Sequence, residues 1–185
     1  MEAEDRRVRA ELAAEGALGD GYHPRMEEVH RGNAAALVAI IEEHGWPGRS
    51  LAGEDGAHAA WFILQHAIGD PPLQRRGLEL LRQAVAGGEA APAQAAYLED
   101  RIRFFEGRPQ LFGTQYDWDE RGELSPHPIE DPAGVDERRR LVGLGPLAEN
   151  TRRIREGAAG EEPPRDRAGD QRKLLEWARS VGWRE

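Results

Sequence analysis

Several polar side chains occupy positions that the apolar pattern predicts to be buried. Trp61–Leu64 is a run of four large apolar residues, and Gln65 and His66 follow it directly. Because consecutive helical residues turn by about 100°, such a run covers every direction and predicts a helix surrounded by protein. Gln74 likewise falls on an apolar flank of the next helix. A buried amide or imidazole without a partner costs about 1–3 kcal/mol, so these side chains require partners, and a ligand is one candidate.

The helix predicted at Pro92–Glu106 also has polar side chains near its buried face, and here they are charged. Tyr97 and Phe104 lie in its predicted apolar sector, and Asp100 and Arg101 flank that sector and point partly inward. A half-buried Asp–Arg pair must be closely matched, because otherwise the desolvation cost of the two charges dominates. The other charged residues of this helix are predicted to face solvent: Glu99, Arg103 and Glu106.

These groups favour a polar pocket that binds a small molecule and supports acid–base chemistry without a metal. A histidine can carry a proton near neutral pH, so His66 is the predicted acid or base, with Asp100 orienting it. A guanidinium holds carboxylates or phosphates through two parallel hydrogen bonds, and amides orient carbonyls, amides or hydroxyls. Such a set suits a polar, neutral-to-anionic metabolite better than a protein groove, whose anchors are usually aromatic. The predicted substrate-binding residues are Gln65, Gln74, Tyr97, Arg101, Gln110, Thr114 and Gln115.

Two alternatives to this function remain open. In a metal-dependent enzyme, His58 and His66 would share an ion with Asp100 or Glu54, although the spacing of the two histidines matches no metalloenzyme motif. We therefore predict no cofactor. In a non-catalytic interaction module, the polar groups would only organise a core. Its docking element would be the apolar stripe of the C-terminal helix, formed by Leu174, Leu175 and Trp177.

Helical periodicity, caps and glycines predict a mainly α fold: a single helical domain with one small β-hairpin, and a C-terminal helix after a flexible linker. The predicted helices are Glu2–Glu15, Met26–His44, Ala57–Ala67, Pro72–Ala86, Pro92–Glu106, Val135–Val142, Pro146–Arg155 and Gln171–Val181. The hairpin pairs Gln110–Trp118 with Glu123–Ile129. A turn is expected at Gly19–Gly21, and Asp70 and Asp170 are expected to cap helices. The predicted domain limits are 1–22 for a charged N-terminal helix or tail, 23–156 for the helical domain, 157–169 for the linker and 170–185 for the last helix.

The composition narrows the classes of partner. The chain has 185 residues and a formal net charge of −9, so neither a nucleic-acid backbone nor an anionic membrane is an expected partner. The short basic clusters Arg138–Arg140 and Arg152/Arg153 are interpreted as solvated helix faces. Cysteine is absent, which excludes disulfides, thiolate metal sites and cysteine nucleophiles. With no signal peptide or membrane span recognisable in the sequence, a cytoplasmic location is expected.

Several separated motifs resemble a family of bacterial proteins defined only as a domain of unknown function. They are Trp46–Pro47, Gln65–His66, Ala96–Tyr97–Leu98 with Asp100–Arg101, and Gly113–Thr114–Gln115 after Gln110, in that order. The resemblance extends from about Met26 to Leu147 and includes the segment VDERRRLVGLGPL. It implies a mainly helical domain and brings no established activity, so the functional argument depends on the chemistry of the residues.

Overall fold

The computed structural model describes residues 1–15 and 22–185, and the fold is mainly α-helical, as the sequence predicts. The described part contains α1 (Glu2–Ala14), α2 (Pro24–His44), α3 (Arg49–His66), α4 (Pro71–Ala86), α5 (Pro92–Phe105), β1 (Tyr116–Trp118), β2 (Leu124–Pro126), α6 (Val135–Leu141), α7 (Leu147–Gly157) and α8 (Arg167–Ser180). A single 3₁₀ turn, Pro132–Gly134, precedes α6. The turn expected at Gly19–Gly21 lies outside the described residues. Among the described helices, none has the length and apolar character needed to cross a membrane.

The chain forms two compact units. The first unit contains residues 1–90, 168–183 and 185, and the second contains residues 91–167 and 184. The domain limits expected from the sequence remain a prediction.

Helix ends in the first unit follow from local chemistry. Pro24 begins α2, where the missing N–H of a proline costs nothing, and Gly45 ends it with a φ of 79°. Asp70 caps α4 as predicted, because its side chain accepts a hydrogen bond from the amide of Leu73 at 2.9 Å.

The core of the first unit lies between α1, α2 and α3. On α1 the buried positions are Asp5, Val8 and Leu12, which share one helix face. On α2 the buried face includes Leu37 and Ile41. A carboxylate therefore occupies a position that the apolar periodicity assigns to the core.

The second unit combines α5, a short hairpin, α6 and α7. The antiparallel strands pair Tyr116 with Pro126 and Trp118 with Leu124. Asp119 stabilises the turn, since its Oδ1 accepts the amides of Arg121 and Glu123 at 2.8 and 3.0 Å. The hairpin is confirmed, but its strands are shorter than predicted.

The start of α3 differs from the sequence prediction. Residues 49–56 precede the helix predicted at Ala57–Ala67, yet they are helical apart from Gly53, whose φ of 70° kinks the helix. Glu89 satisfies the free amides at this N-terminus, because its carboxylate accepts both the amide and the hydroxyl of Ser50 at 2.8 Å. This cap comes from a residue that is distant in sequence, which the local pattern does not reveal.

Three predictions about individual residues are wrong. Asp170 does not cap α8, because that helix begins at Arg167. Arg103 is buried rather than solvated; its Nε donates to the carbonyl of Pro109 at 2.7 Å, and its guanidinium forms an ion pair with Glu130. Arg139 is also buried, because its guanidinium is held by backbone carbonyls. Helical periodicity predicts the direction of a side chain, but it does not predict which hydrogen-bond acceptors other segments place there.

Candidate functional site

A buried carboxylate and two imidazoles form a compact cluster in the first unit. Oδ2 of Asp5 lies 2.8 Å from Nδ1 of His66 and 2.8 Å from Nε2 of His30. Asp5 is only 2% exposed, whereas the side chain of His66 is 26% exposed. The cluster therefore connects the buried Asp5 carboxylate to the His66 ring, which is accessible to solvent.

Each member of the cluster extends the apolar face of its own helix. Asp5 precedes Val8 and Leu12 on α1, and His30 continues the buried face of α2 toward its N-terminus. His66 is the last residue of α3, and its ring centroid lies 4.2 Å from that of Phe62 on the preceding turn. The packing of α1 and α2 against α3 therefore brings together residues that are 25 to 61 positions apart, because the faces that carry them are apolar.

The electrostatics of the cluster keep Asp5 ionised. Burial raises the pKa of this carboxyl, but the contacts with the His30 and His66 imidazoles outweigh burial and hold the pKa well below its ordinary value. Because an ionised carboxylate can only accept, Nδ1 of His66 must donate the hydrogen bond to Asp5. The neutral His66 ring then carries its lone pair on Nε2.

Tyr22 extends the cluster through His30. Its hydroxyl lies 2.6 Å from Nδ1 of His30, and the indole of Trp177 on α8 packs edge-on against its ring at 5.0 Å. The pKa of Tyr22 is raised, first by burial and then by the charges of Glu27 and Asp5, so the hydroxyl keeps its proton and donates to His30. Polar contacts thus link Tyr22 to His30, His30 to Asp5, and Asp5 to His66.

Two atoms of this cluster are not satisfied by hydrogen bonds within the described residues. Oδ1 of Asp5 has no partner there, although it is buried. Nε2 of His30 lies 2.8 Å from Oδ2 of Asp5, but its N–H is not directed at that oxygen, so the two atoms are in polar contact without forming a hydrogen bond. Buried polar atoms in this condition are uncommon, and in folded proteins they belong to catalytic groups or bind an ordered water or an ion.

A cavity of about 430 Å³ adjoins the cluster, and its wall includes both Tyr22 and His30. Ala34, Val38 and Ala67 give it an apolar surface. Its charged lining residues are Glu27, Arg31 and Asp70. This volume and this mixture of surfaces are typical of sites for small molecules.

The second unit contains a different polar network, built around Asp100. Its carboxylate is completely buried and accepts the amides of Leu111, Phe112 and Thr114 at 2.6 to 3.1 Å. The hydroxyl of Thr114 adds a bond at 3.0 Å. Burial raises the pKa of Asp100, and the hydrogen bonds partly offset this effect. The carboxylate thereby fixes the backbone of residues 111–114.

The predicted glutamines of the second unit also bind backbone or local side chains. Gln110 is buried; its Oε1 accepts the amide of Gln115, and its Nε2 donates to the carbonyls of Gln115 and His127. The side chain of Gln115 accepts from Nε of Arg101 at 3.3 Å and donates to Thr114 at 3.0 Å. These residues hold the segment that connects α5 to the hairpin.

The sequence-predicted site residues therefore fall into two groups. Gln65, His66 and Gln74 belong to the first unit, whereas Tyr97, Asp100, Arg101, Gln110, Thr114 and Gln115 belong to the second. In the first group, Gln74 donates to the carbonyls of Leu64 and Gln65 and so caps the end of α3. His58 and Glu54 are exposed and lie outside the cluster of Asp5, His30 and His66.

Sequence reasoning missed Asp5, Tyr22 and His30. The spacing of Asp5, Val8 and Leu12 was a usable signal, because it places an acid on the buried stripe of α1. His30 likewise precedes the buried residues Ala34, Leu37 and Ile41 at helical spacing. Because residues 1–22 were interpreted as a charged helix or tail outside the helical domain, the first signal was not used.

The fold and the cluster define a mainly helical protein with a buried carboxylate–imidazole site. The chain belongs to a family of unknown function (DUF6624), whose model matches residues 6–162. The match confirms the resemblance inferred from the sequence motifs as far as the family is concerned. No curated protein and no solved structure matches the chain.

Proposed function

We propose that the chain binds a small metabolite through its first unit and transforms it by acid–base chemistry. In this proposal His66 carries the proton, and Asp5 orients the imidazole ring and stabilises its protonated form. The observation that supports it most strongly is the buried Asp5 carboxylate, which lies 2.8 Å from a ring nitrogen of each of two histidines. We assign no catalytic step to Asp100, because its carboxylate oxygens accept hydrogen bonds from backbone amides of the second unit.

The hydrogen bond between His66 and Asp5 supports a role for His66 as the group that carries the proton. With Nδ1 donating to the ionised Asp5, the lone pair on Nε2 can take a proton from a substrate, and the Asp5 charge stabilises the resulting imidazolium. Return of the same proton to another substrate atom completes an isomerase step, and its delivery to a departing group completes a lyase step. In hydrolysis, Nε2 would take the proton from the water that attacks the substrate and give it to the leaving group as the scissile bond breaks. The hydrogen bond to Tyr22 and the contact with Asp5 hold His30 in place beside the cavity.

The cavity suggests the class of ligand. Its alanine and valine surface suits a short apolar portion, while Arg31 offers a cation to a carboxylate or phosphate. A polar, neutral-to-anionic small molecule fits this surface best. We include a bacterial origin and a cytoplasmic location in the proposal; the acidic, cysteine-free composition supports the location. A protein contact through α8 stays a prediction, although Trp177 already packs on Tyr22.

The test uses two histidines of the same helix. His66→Ala should abolish the rise in Tm that a stabilising compound produces, within a panel of carboxylic and phosphorylated metabolites, and should abolish any turnover of that compound. His58→Ala removes an exposed imidazole from α3 and should change neither property. The Tm of unliganded His66→Ala should fall by less than about 12 °C, equivalent to about 3 kcal/mol for a chain of this size, because Asp5 loses one of its two imidazole contacts. Identical ligand responses of the two variants would show that the proposal is wrong.

A second candidate function, a metal-dependent enzyme, is favoured by one specific observation. Asp5, His30 and His66 offer one ligand atom each within 4.8 Å, and two atoms of this set lack hydrogen bonds to described residues. Two imidazoles and a carboxylate are a ligand set for zinc, iron or manganese. With a metal on Nε2 of His30, its Nδ1–H would donate to the Tyr22 hydroxyl, the reverse of the direction in the acid–base proposal, and would hold the ring in place. Elemental analysis of untagged protein separates the candidates. One equivalent of a transition metal, lost in His30→Ala but retained in His58→Ala, would replace the acid–base proposal.

A further inference from the structure

The guanidinium of Arg139 is buried in the second unit without a carboxylate partner. Arg139 is 2% exposed. Its Nε donates to the carbonyl of Gly145 at 2.6 Å, and its Nη1 donates to Phe112 at 2.6 Å and to Gly113 at 3.5 Å. No described carboxylate forms an ion pair with it, and no described acceptor binds its Nη2. Carbonyl dipoles satisfy some donors of a guanidinium, but they leave its full positive charge uncompensated.

Arg139 lines a cavity of about 440 Å³ that contains further donors. The exposed Arg152 also lines it and forms no ion pair or hydrogen bond with any described residue. A Cβ added at Gly143 or Gly145 would meet no atom within 4 Å, so the loop backbone is open on this side. The Nη2 donors of Arg139 and the Arg152 head group are therefore both available at one cavity.

The local charge favours an anion. Arg153 is the third cation of the wall, and Glu149 and Glu156 are its two acids, so the lining carries one net positive charge. The 11-residue helix α7 begins at this cavity, but Asp136 already accepts the amide of its first residue, Leu147, at 2.7 Å, so the arginines are the donors that remain for an anion. Buried, desolvated arginine donors bind oxyanions more strongly than exposed ones, because water competes less.

We propose that this cavity binds a small oxyanion, the phosphate or carboxylate group of a metabolite, with Nη2 of Arg139 and the guanidinium of Arg152 as its ligands. Arg139 is already fixed by three carbonyls, so it offers a donor pair of set geometry at little entropic cost. The site belongs to the second unit and does not depend on the proposed chemistry of Asp5 and His66.

The test is a titration of the full chain with inorganic phosphate, followed by NMR of backbone amides and arginine Nε–H groups. Phosphate should shift the signals of Arg139 and Gly145 saturably. Arg152→Gln should weaken its affinity about tenfold, equivalent to about 1.4 kcal/mol. Arg140→Gln removes the same charge from an exposed residue paired with Glu137 and should change the affinity by less than about twofold.

Further outcomes decide the chemistry of the ligand. Acetate binding as tight as phosphate assigns the site to carboxylates, whereas tighter phosphate assigns it to phosphoryl groups; both support an oxyanion site. Arg139→Lys keeps the charge but loses the planar fork, and should weaken binding if circular dichroism shows that it folds. Unshifted Arg139 and Gly145 signals, or equal affinities of Arg152→Gln and Arg140→Gln, would overturn the proposal, and neither result depends on the Arg139 variant.

Discussion

Asp5 in the first unit and Asp100 in the second are both buried carboxylates, but different groups surround them. Asp100 accepts three backbone amides and a hydroxyl, whereas Asp5 lies between two imidazoles. Backbone amides cannot release a proton at ordinary pH, while an imidazole can. The two environments also shift the carboxyl pKa in opposite directions, up for Asp100 and down for Asp5.

The difference teaches how a buried acid should be interpreted. A carboxylate bound by amides fixes the backbone that carries them, and its removal should mainly affect folding. A carboxylate bound by titratable side chains controls where their protons lie, and its removal should mainly affect chemistry. Burial alone does not separate the two cases; the identity of the donors does.

The largest expected effect comes from removing the Asp100 carboxylate. Asp100→Ala should lower the free energy of unfolding by about 3–5 kcal/mol, because the amides of residues 111, 112 and 114 lose their acceptor. Urea denaturation followed by circular dichroism measures this loss. Glu120→Ala, at an exposed position of the same unit, should change stability by less than about 0.5 kcal/mol. A loss below about 1 kcal/mol for Asp100→Ala would contradict the structural role.

A smaller loss is expected at Gln110. Gln110→Ala should cost about 2–3 kcal/mol, because its amide bonds both the N–H and the carbonyl of Gln115 and the carbonyl of His127. Gln83→Ala removes an exposed amide from a helix and serves as the control. Equal stability of the two variants would show that the Gln110 bonds contribute little.

The pH dependence of stability should have opposite signs at the two carboxylates. Asp5 has a lowered pKa, so its contribution to stability is present above the ordinary value of 3.8 and is lost as the pH falls toward the folded-state pKa. Asp100 has a raised pKa, so ionisation disfavours folding and stability falls as the pH rises through its folded-state pKa, above 3.8.

Urea denaturation of the parent chain, Asp5→Asn and Asp100→Asn between about pH 3 and pH 6 measures these two contributions. Subtracting the curve of each variant from that of the parent gives the contribution of that residue. If the contributions of Asp5 and Asp100 to the free energy of unfolding changed with pH in the same direction, the predicted difference between the two carboxylates would be wrong.

The smallest stability effect is expected from a single hydroxyl. Tyr22→Phe should cost about 1 kcal/mol, since it removes one hydrogen bond to His30, and should also reduce ligand-induced stabilisation. Tyr116→Phe is the matched variant in the second unit, where the hydroxyl bonds Thr151 and Asn150. It should cost a similar amount of stability without changing the ligand response. A ligand response lost in both variants would argue against assigning the site to the first unit.

The sequence predicted the helices and the burial of several polar residues, because those features depend on local periodicity. Apolar spacing, Pro24, Asp70 and Gly45 specify where α2 and α4 begin or end. The same periodicity correctly predicted that Gln65 and Gln74 are buried, whereas Asp100, expected to be half-buried, is completely buried. It did not predict the start of α3, where Glu89 supplies the cap from a distant segment.

The partners of the buried groups could not be predicted in the same way. A helical wheel places Asp100 inward, but only the folded chain brings the amides of residues 111–114 to its oxygens. Arg103 was placed on a solvated face because it lies opposite the apolar sector of its helix, and Arg139 because it belongs to a short basic cluster next to acids. The carbonyls of Pro109 and Phe112 bind their guanidinium groups in the interior and overturn both predictions.

The amino-acid order by itself determined a mainly helical chain, its family, and the presence of polar groups on apolar faces, because these depend on residue type and on spacing within one element. Tertiary packing decided which of those groups meet. It placed Asp5 of α1 between His30 of α2 and His66 of α3, since each helix buries the face on which that residue lies. Hydrogen-bond geometry depends on distances across the fold, and only the packed helices set those distances.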